Sequence, residues 1–275
     1  MGGLHMTYQS EAQLEDQLVQ QLNVQDYTKV KINNEEALID NFKEQFSIFN
    51  ADKLNGQSLT EKEWDRVFNQ LLGQSVFKSA KILRDKLHIQ REDGSDLYLQ
   101  LISEDTSKNI FQATNQTTMI GKYTNVTLLV NGLPLVQVEL KRRGMDIKEA
   151  FNQVERYRKH SYKGLYRYIQ MFIISNGVDT KYFANSDRDL MFSLTFFWTD
   201  QENARITNLS DFSRAFLDRY HLVKMISKYT IINDSDKILM VMRPYQVFAT
   251  EALIKRVQIQ ISMLLYGILL EVEKH

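Results

Sequence analysis

Apolar residues recur at helical spacing through the first third of the chain. Ser10 precedes a repeat of Leu14, Leu18 and Leu22, a pattern that predicts a capped amphipathic helix. Similar spacing behind capping residues predicts three more helices, over residues 34–49, 60–72 and 79–87. The N-terminal region is therefore expected to be helical.

From residue 91 onward the pattern favours strands. A polar turn at 91–95 separates two predicted strands, and Asn131-Gly132 is a strong signal for a tight hairpin turn. The predicted strands are 111–118, 126–130, 135–140, 168–175, 182–184 and 193–198, and the predicted helices are 146–159, 209–219 and 222–228. Helices first, then strands interleaved with helices, indicate an α/β or α+β domain.

Composition narrows the class of protein. The 275 residues contain 34 basic and 34 acidic side chains and no cysteine, which excludes disulfides, cysteine nucleophiles and zinc–cysteine sites. No secretory signal opens the chain, and residues 1–6 resemble a cloning remnant. The longest apolar stretch, 259–270, is shorter than the roughly 20 residues that cross a bilayer. We expect a cytoplasmic protein with no membrane partner.

The candidate chemistry centres on Glu139 and Lys141. Alternate side chains of a strand share a face, so these two residues are expected to project together while Val138 and Leu140 pack on the other side. A carboxylate can bind a hard divalent cation, and an ammonium can stabilise charge on a water or a phosphate. The alternative is an ordinary ion pair on the sheet face.

The segment that follows is basic. Residues 139–167 contain nine basic and four acidic side chains, so this segment carries +5 and the rest of the neutral chain −5. Gln153 and Tyr157 stand four residues apart, on one face of the predicted helix. Basic and tyrosine side chains together are typical of a surface that binds a phosphate backbone, and a solvated outer face is the alternative.

Five runs of residues carry a family resemblance. They are GKY at 121–123, VTLLVNGLPLVQVELKRRG at 126–144, EAFNQVERY at 149–157, IISNGVDTKYFAN at 173–185 and MRPYQ at 242–246. Together they closely resemble the nuclease domain of the restriction (R) subunit of type I restriction–modification enzymes, from about residue 8 to residue 256.

The resemblance implies a PD-(D/E)XK nuclease fold, with a central mixed β-sheet flanked by helices, that cleaves DNA with Mg²⁺. Glu139 matches the family's metal-binding glutamate and Lys141 its catalytic lysine. Gln153 and Tyr157 match its Gln-x-x-x-Tyr signature, which contacts DNA. An additional metal-binding carboxylate in the family is matched by Glu11 or Glu15. Further DNA contacts are expected from Arg142, Arg143 and Arg156.

The resemblance also implies partners: DNA, and the methylation and specificity subunits of the restriction complex. In the family the nuclease domain leads into an ATP-driven motor, and Arg243, Tyr245 and Gln246 resemble its adenine-contacting segment. No Gly-x-x-x-x-Gly-Lys-Ser/Thr motif is present in this sequence, so we do not expect this chain to bind ATP well. We predict a nuclease domain over 7–225 and the start of the motor over 226–257.

The chain departs from the family pattern at a metal ligand. The family has an aspartate in the strand before Asn-Gly-Leu-Pro, where this chain has Asn125. Allowing for the Gly-Lys-Tyr anchor, about three residues that include the aspartate are absent instead. Asparagine is neutral and holds a divalent cation less firmly than a carboxylate does. The sequence predicts weak or absent cleavage, unless a loop that contains the aspartate was dropped from the sequence.

A second departure is the tail, 258–275. Codons for residues 266–275 can be read in a shifted frame as Trp-His-Thr-Thr-Gly-Ser-Gly-Lys-Thr, the family's ATP-binding loop. This reading predicts a frameshift that truncated the gene before the motor. Two functions stay open: a Mg²⁺-dependent DNA endonuclease fragment, and a decayed restriction subunit that binds DNA or a partner without cleavage.

Overall fold

A mixed β-sheet forms the centre of the molecule in the computed structural model, which describes the backbone of residues 9–119 and 122–272 and the side chains of 9–115 and 126–261. The strands are β1 (Thr28–Lys29), β2 (Lys86–Gln90), β3 (Asp96–Gln100), β4 (Phe111–Met119), β5 (Lys122–Val130), β6 (Leu133–Leu140), β7 (Met171–Ser175), β8 (Thr180–Ala184), β9 (Trp198–Thr199), β10 (Arg205–Ile206), β11 (Thr230–Asn233) and β12 (Ile238–Val241). Six of them form the central sheet in the order β1-β4-β5-β6-β7-β8, and the others pair as three hairpins. Strands β6 and β7 are parallel, while β5–β6 and β7–β8 are antiparallel.

Helices cover both faces of this sheet. They are α1 (Glu11–Val24), α2 (Glu35–Phe49), α3 (Ala51–Leu54), α4 (Glu61–Leu71), α5 (Val76–Arg84), α6 (Ile147–His160), α7 (Leu209–Phe216), α8 (Arg219–Ser227) and α9 (Pro244–Val272), with short 3₁₀ turns at Thr106–Lys108, Gly164–Tyr168 and Phe192–Leu194. The expected α/β fold, a mixed sheet flanked by helices with a helical N-terminal region, is confirmed. None of the helices in the described part of the chain combines the length and apolar character that crossing a bilayer requires.

The two faces of the sheet pack against different helices. One face carries the registered row Gln137, Phe172 and Phe183. Helix α6 covers this face, since the ring of Phe151 lies 5.3 Å from that of Phe183. On the other face Tyr182 contacts Phe216 of α7, with ring centroids 4.7 Å apart. Glu139 follows Gln137 by two residues in β6, so its side chain lies on the same face of the sheet, between the sheet and α6.

Helix α1 is fixed by the interactions expected from its sequence. Ser10 and Gln13 form a capping box, and Leu14, Leu18 and Leu22 are buried. Leu14 packs on Gly177, just after β7: a Cβ atom at Gly177 would lie 3.1 Å from Leu14 Cδ2. This contact brings the first turn of α1 to the carboxyl ends of β6 and β7.

The predicted hairpin turn at Asn131-Gly132 is confirmed. Both residues have positive φ, 52° and 80°, as a two-residue hairpin turn with Asn-Gly requires. The Asn131 amide also donates to the Leu101 carbonyl at 3.0 Å. Because a Cβ atom at Gly132 would lie 2.7 Å from Phe42 Cα, only glycine allows α2 to approach the turn this closely.

Several predicted boundaries are wrong. Residues 193–198 are not one strand, because a 3₁₀ turn covers Phe192–Leu194. Thr195 Oγ1 donates a hydrogen bond to the Phe192 carbonyl and so stabilises this turn. The helix predicted at 79–87 begins earlier because Ser75 caps it, accepting a hydrogen bond from the Lys78 amide. The strand predicted from 168 begins at Met171, after the 3₁₀ turn Gly164–Tyr168.

The helices near the end of the chain also differ from the prediction. Asp218 accepts hydrogen bonds from the backbone amides of Tyr220 and His221, so a new helix begins at Arg219 and the preceding one ends at Phe216. The hairpin of β11 and β12 and the long helix α9 have no counterpart among the predicted elements. Both lie in the segment for which the hydrophobic pattern gave no assignment.

Candidate active site at the carboxyl ends of β6 and β7

Glu139 and Lys141 lie at the end of β6, beside the end of β7. Glu139 is registered with Ile174 of β7, and the Lys141 backbone amide donates to the Ser175 carbonyl at 2.8 Å. The strand alternation brings the two side chains together, with 3.7 Å between Lys141 Nζ and Glu139 Oε1. The site thus contains the acid and amine that the sequence predicted to be neighbours.

The Glu139 carboxylate is in an unfavourable place for a charge. The side chain is 0% exposed, and neither carboxylate oxygen has a hydrogen bond among the described residues. Burial raises the pKa of Glu139 to about 8; Lys141 opposes this rise, while Glu11 and Glu15 add to it. A buried carboxylate without hydrogen-bond donors is a group that a cation would stabilise.

Helix α1 contributes two acidic residues to the same place. Glu11 Oε2 lies 3.5 Å from Lys141 Nζ, so the lysine ion-pairs with both Glu11 and Glu139. The Glu11 side chain is 41% exposed and that of Lys141 only 12%, so the site meets solvent on the Glu11 side. Glu15 is buried in α1 and acts on Glu139 through its charge.

Gln153 and Tyr157 form a pair on the adjoining face of α6. Gln153 Nε2 lies 2.8 Å from Tyr157 Oη, as expected for residues four apart on a helix. Partial burial raises the pKa of Tyr157, and the charge of Glu139 adds to this rise. The α6 pair therefore belongs to the same site as Glu139.

Tyr162, one of the tyrosines interleaved with the basic residues of the 139–167 segment, belongs to this site too. Its side chain is buried, and its hydroxyl has no hydrogen bond among the described residues. Burial, together with the charge of Glu139, raises the pKa of Tyr162 well above its usual value. No periodic signal identifies this residue, because it lies beyond the end of α6 and reaches the site through the tertiary fold.

The basic residues of the 139–167 segment divide into two groups. Arg142, Arg143 and Arg156 are exposed and form no ion pair within the described part of the chain. In contrast, Arg158 is buried and pairs with Glu155, while Lys159 pairs with Glu155 and Asp189. Part of the positive charge in this segment is therefore structural, and the remainder is available to an anion.

The protein side chains at this site are too few to complete the coordination of a metal ion by themselves. Among the described residues no three histidine, aspartate or glutamate side chains are grouped to hold a metal ion. The backbone of Asn125 belongs to β5 next to Val126, which is registered with Val138, but the Asn125 side chain lies outside the described residues. The residues present fit a Mg²⁺ ion that takes one or two carboxylates, Glu139 and either Glu11 or Glu15, and keeps several waters.

Arg243, Tyr245 and Gln246 are at a different place, at the start of α9. Gln246 Oε1 accepts a hydrogen bond from the Arg243 backbone amide at 2.9 Å, and the Arg243 guanidinium lies 5.0 Å from the centre of the Phe196 ring. Arg243 and Gln246 line a cavity of about 380 Å³ whose lining includes neither Glu139 nor Lys141. Tyr245 is 55% exposed.

Comparison with known proteins shows that the chain matches a protein family. The family model described as "Type I restriction enzyme R protein N terminus" matches residues 8–190. This match covers the central sheet, the α1 carboxylates and the whole Glu139 site.

Curated relatives include endonuclease subunits of type I restriction enzymes. The SauCOLORF180P endonuclease subunit of Staphylococcus aureus strain COL is 52% identical over 255 residues, which cover 91% of this chain and 27% of the relative. The SsaAORF53P endonuclease subunit of Staphylococcus saprophyticus is 52% identical over 253 residues, 90% of this chain and 27% of the relative. The EcoprrI endonuclease subunit of Escherichia coli is 39% identical over 268 residues, 92% of this chain and 83% of the relative. The chain thus spans about a quarter of the length of the staphylococcal relatives.

Proposed function

The chain belongs to the family of type I restriction enzyme R protein N termini, and on that premise we propose that it is a Mg²⁺-dependent nuclease region that cleaves DNA phosphodiester bonds. The observation that carries the proposal is Glu139, a fully buried carboxylate without a hydrogen bond among the described residues, 3.7 Å from the Lys141 ammonium. Burying an acid beside an amine costs folding free energy, and groups with such strongly perturbed pKa values are concentrated at functional sites.

Each residue of the site has a distinct role in this proposal. Glu139 would hold Mg²⁺ together with Glu11 or Glu15, and the bound ion would supply a Lewis acid for the phosphate. The Lys141 ammonium would orient the attacking water and stabilise the negative charge of the phosphate as the P–O bond breaks.

The DNA would be held by α6 and the loop before it. Gln153 and Tyr157 present an amide and a hydroxyl beside Glu139, and hydrogen bonds from such groups position a nucleic acid backbone. The exposed Arg142, Arg143 and Arg156 would neutralise neighbouring phosphates. Binding through these arginines is independent of DNA sequence and weakens with salt.

A second candidate function is binding of DNA or a partner without cleavage. It is favoured by the absence of a three-ligand metal group among the described residues and by the neutral Asn125 at the position of the family's aspartate. A site with a single firm carboxylate ligand would bind Mg²⁺ weakly and cleave slowly.

The wider assignment follows the family. We propose that the nuclease region is 7–225, that residues 226–257 begin the ATP-driven motor, and that 258–275 are a frameshifted tail. The partners would be DNA and the methylation and specificity subunits, in the cytoplasm, with the specificity subunit selecting the DNA sequence. ATP would bind poorly to this chain, because Arg243, Tyr245 and Gln246 lack a phosphate-binding loop beside them.

Cleavage of supercoiled plasmid by the purified chain tests the proposal. Mg²⁺-dependent nicking that EDTA stops and that Glu139→Ala and Lys141→Ala abolish supports the nuclease. Glu149→Ala is the matched control, an exposed acid on α6 that should leave the rate unchanged. Binding of plasmid with no nicking at millimolar Mg²⁺ supports the non-catalytic alternative, and nicking that survives Glu139→Ala contradicts the assignment of the site.

A further inference from the structure

Lys181 and Arg205 both lie over the ring of Phe197, at the edge of the sheet next to the site. Lys181 Nζ lies 4.7 Å from the centre of the Phe192 ring and 4.8 Å from that of Phe197. The Arg205 guanidinium lies 5.3 Å from the same Phe197 ring. Rings at these distances attract a cation and hold its side chain in place, so the two charges have defined positions.

Lys181 lies on the same face of the sheet as Glu139. Glu139 of β6 is registered with Ile174 of β7, and Ile174 is registered with Lys181 of β8. Registered residues of neighbouring strands point to the same face. Two strand spacings separate Glu139 from Lys181, which is about 10 Å.

Arg205 extends this row beyond β8. Phe196 pairs with Tyr182 of β8 through a β-bridge, so the next residue, Phe197, alternates to the face that carries Lys181. Arg205 is registered with Thr199, two residues after Phe197 in the hairpin of β9 and β10. One face therefore carries, in order, the candidate catalytic acid and two cations.

The two cations have no carboxylate partner at ion-pair distance within the described part of the chain. Other lysines that lie over phenylalanine rings do: Lys237 lies over Phe77 and pairs with Asp234. Burial lowers the pKa of Lys181; Asp179 opposes this decrease, and Arg205 adds to it. Lys181 is half-buried and Arg205 is exposed, and two like charges kept this close repel each other unless an anion lies between or above them.

We propose that Lys181 and Arg205 bind a backbone phosphate of the DNA close to the one at Glu139, since only about 10 Å of sheet separates the two places. This inference rests on the proposed function, because it takes the anion to be the DNA substrate. It adds a second contact that fixes the direction of the strand across the site.

Fluorescence anisotropy with a labelled 30-base-pair duplex between 50 and 200 mM salt tests the inference. The double variant Lys181→Met/Arg205→Met keeps the apolar stems on the rings and removes both charges. Each lost phosphate contact lowers the steepness of the slope of log affinity against log salt by about 0.9, so loss of this one contact should lower it by about 1. Over this fourfold salt range the wild-type chain should lose about 3- to 4-fold more affinity than the double variant.

Two controls make the result specific. Lys237→Met removes a ring-supported lysine that already has an acidic partner, and it should leave the slope unchanged. Lys181→Arg keeps the charge and should keep the wild-type slope. A double variant with the wild-type slope overturns the inference while wild-type binding and Mg²⁺-dependent nicking leave the proposed function intact. A wild-type chain that binds no duplex overturns both, and a reduced slope without nicking supports the phosphate site alone.

Discussion

At the scale of single residues, Glu139 is an acid whose charged form is disfavoured by its surroundings, because burial raises its pKa to about 8. The alternation of Val138, Glu139 and Leu140 predicted its neighbour Lys141 from the sequence alone, because strand geometry is local. The sequence could not predict that Glu139 is fully buried, or that Lys141 reaches Glu11, since both depend on how α1 packs across the ends of β6 and β7. The place of Tyr162 beside Glu139 could not be predicted for the same reason.

The raised pKa of Glu139 makes folding stability depend on pH. The folded acid titrates at about 8, well above its value of 4.5 in an unfolded chain. The folded state therefore binds one more proton between these values, and the free energy of unfolding decreases as pH rises through this range. Between pH 6.5 and 8 the expected loss is about 2 kcal/mol without metal, at roughly 1.4 kcal/mol per pH unit. Glu139→Gln should remove this slope in urea denaturation, whereas a slope unchanged from wild type would contradict the burial of a titrating acid; the exposed Glu149→Gln is the control.

Asn125 gives a second prediction at this scale. Its neighbour Val126 is registered with Val138, so a carboxylate introduced here stands on the strand segment beside Glu139. Asn125→Asp should tighten Mg²⁺ binding about tenfold or more by adding a second charged ligand, measured by calorimetry. Asn125→Ser, which adds no charge, should leave the affinity near that of wild type. Equal affinity for all three chains would mean that position 125 is not a ligand position.

At the scale of elements, the sequence was sufficient to predict a turn or a helix cap where specific residue types form it. The Asn-Gly turn, the capping box of α1 and the helix α6 could all be predicted because the residues that form them are adjacent in sequence. The run 193–198 could not, because its apolar residues pack as aromatic partners of Tyr182 and Phe216 rather than as a regular strand. The hydrophobicity of this run indicates that it is buried, and buried apolar residues occur in irregular segments as well as in strands.

The β5–β6 turn sets the register of β5 against β6, the strand that carries Glu139. Gly132→Ala adds a methyl group to a residue whose φ is in the left-handed region. The added Cβ atom would lie 2.7 Å from Phe42 Cα, so the turn and α2 must move apart. We expect a loss of about 2–4 kcal/mol in the free energy of unfolding, from backbone strain plus overpacking. Gly94→Ala also has positive φ but meets nothing within 4 Å, and should cost only about 1 kcal/mol. Similar losses for the two variants would show that α2 does not contact this turn closely.

At the scale of the whole molecule, the segment after residue 208 is held to the sheet by an aromatic cluster that contains a histidine. His221 packs 4.7 Å from the Trp198 ring and 5.3 Å from that of Phe216, and α1 is tied to α7 by a 3.1 Å hydrogen bond from Gln25 to Ser213. The contacts of Trp198 with His221 and of Gln25 with Ser213 join residues far apart in sequence, which is why the hydrophobic pattern gave the elements but not their packing.

His221 should make the whole fold sensitive to acid. Burial lowers its pKa from 6.5 to about 4, although Glu251 and Asp218 oppose this change. The unfolded chain then binds the extra proton, so the histidine's contribution is complete above pH 6.5 and is lost as pH falls to 4. The expected loss is up to about 3 kcal/mol. His221→Phe should remove it, so that the difference in free energy of unfolding between the two chains decreases from pH 6.5 to 4; a difference independent of pH would mean that His221 is solvated.

The central claim is that Glu139 and Lys141 form a metal-dependent site, and calorimetric titration with Mg²⁺ at pH 7 tests it most directly. In two buffers of different ionisation enthalpy, the titration gives both the affinity and the protons released. Because the metal-free Glu139 is mostly protonated at this pH, we predict about one proton released per Mg²⁺ bound. Glu139→Ala should abolish both the binding and the release. Binding that persists in Glu139→Ala, or no binding by the wild-type chain at millimolar Mg²⁺, would contradict the claim.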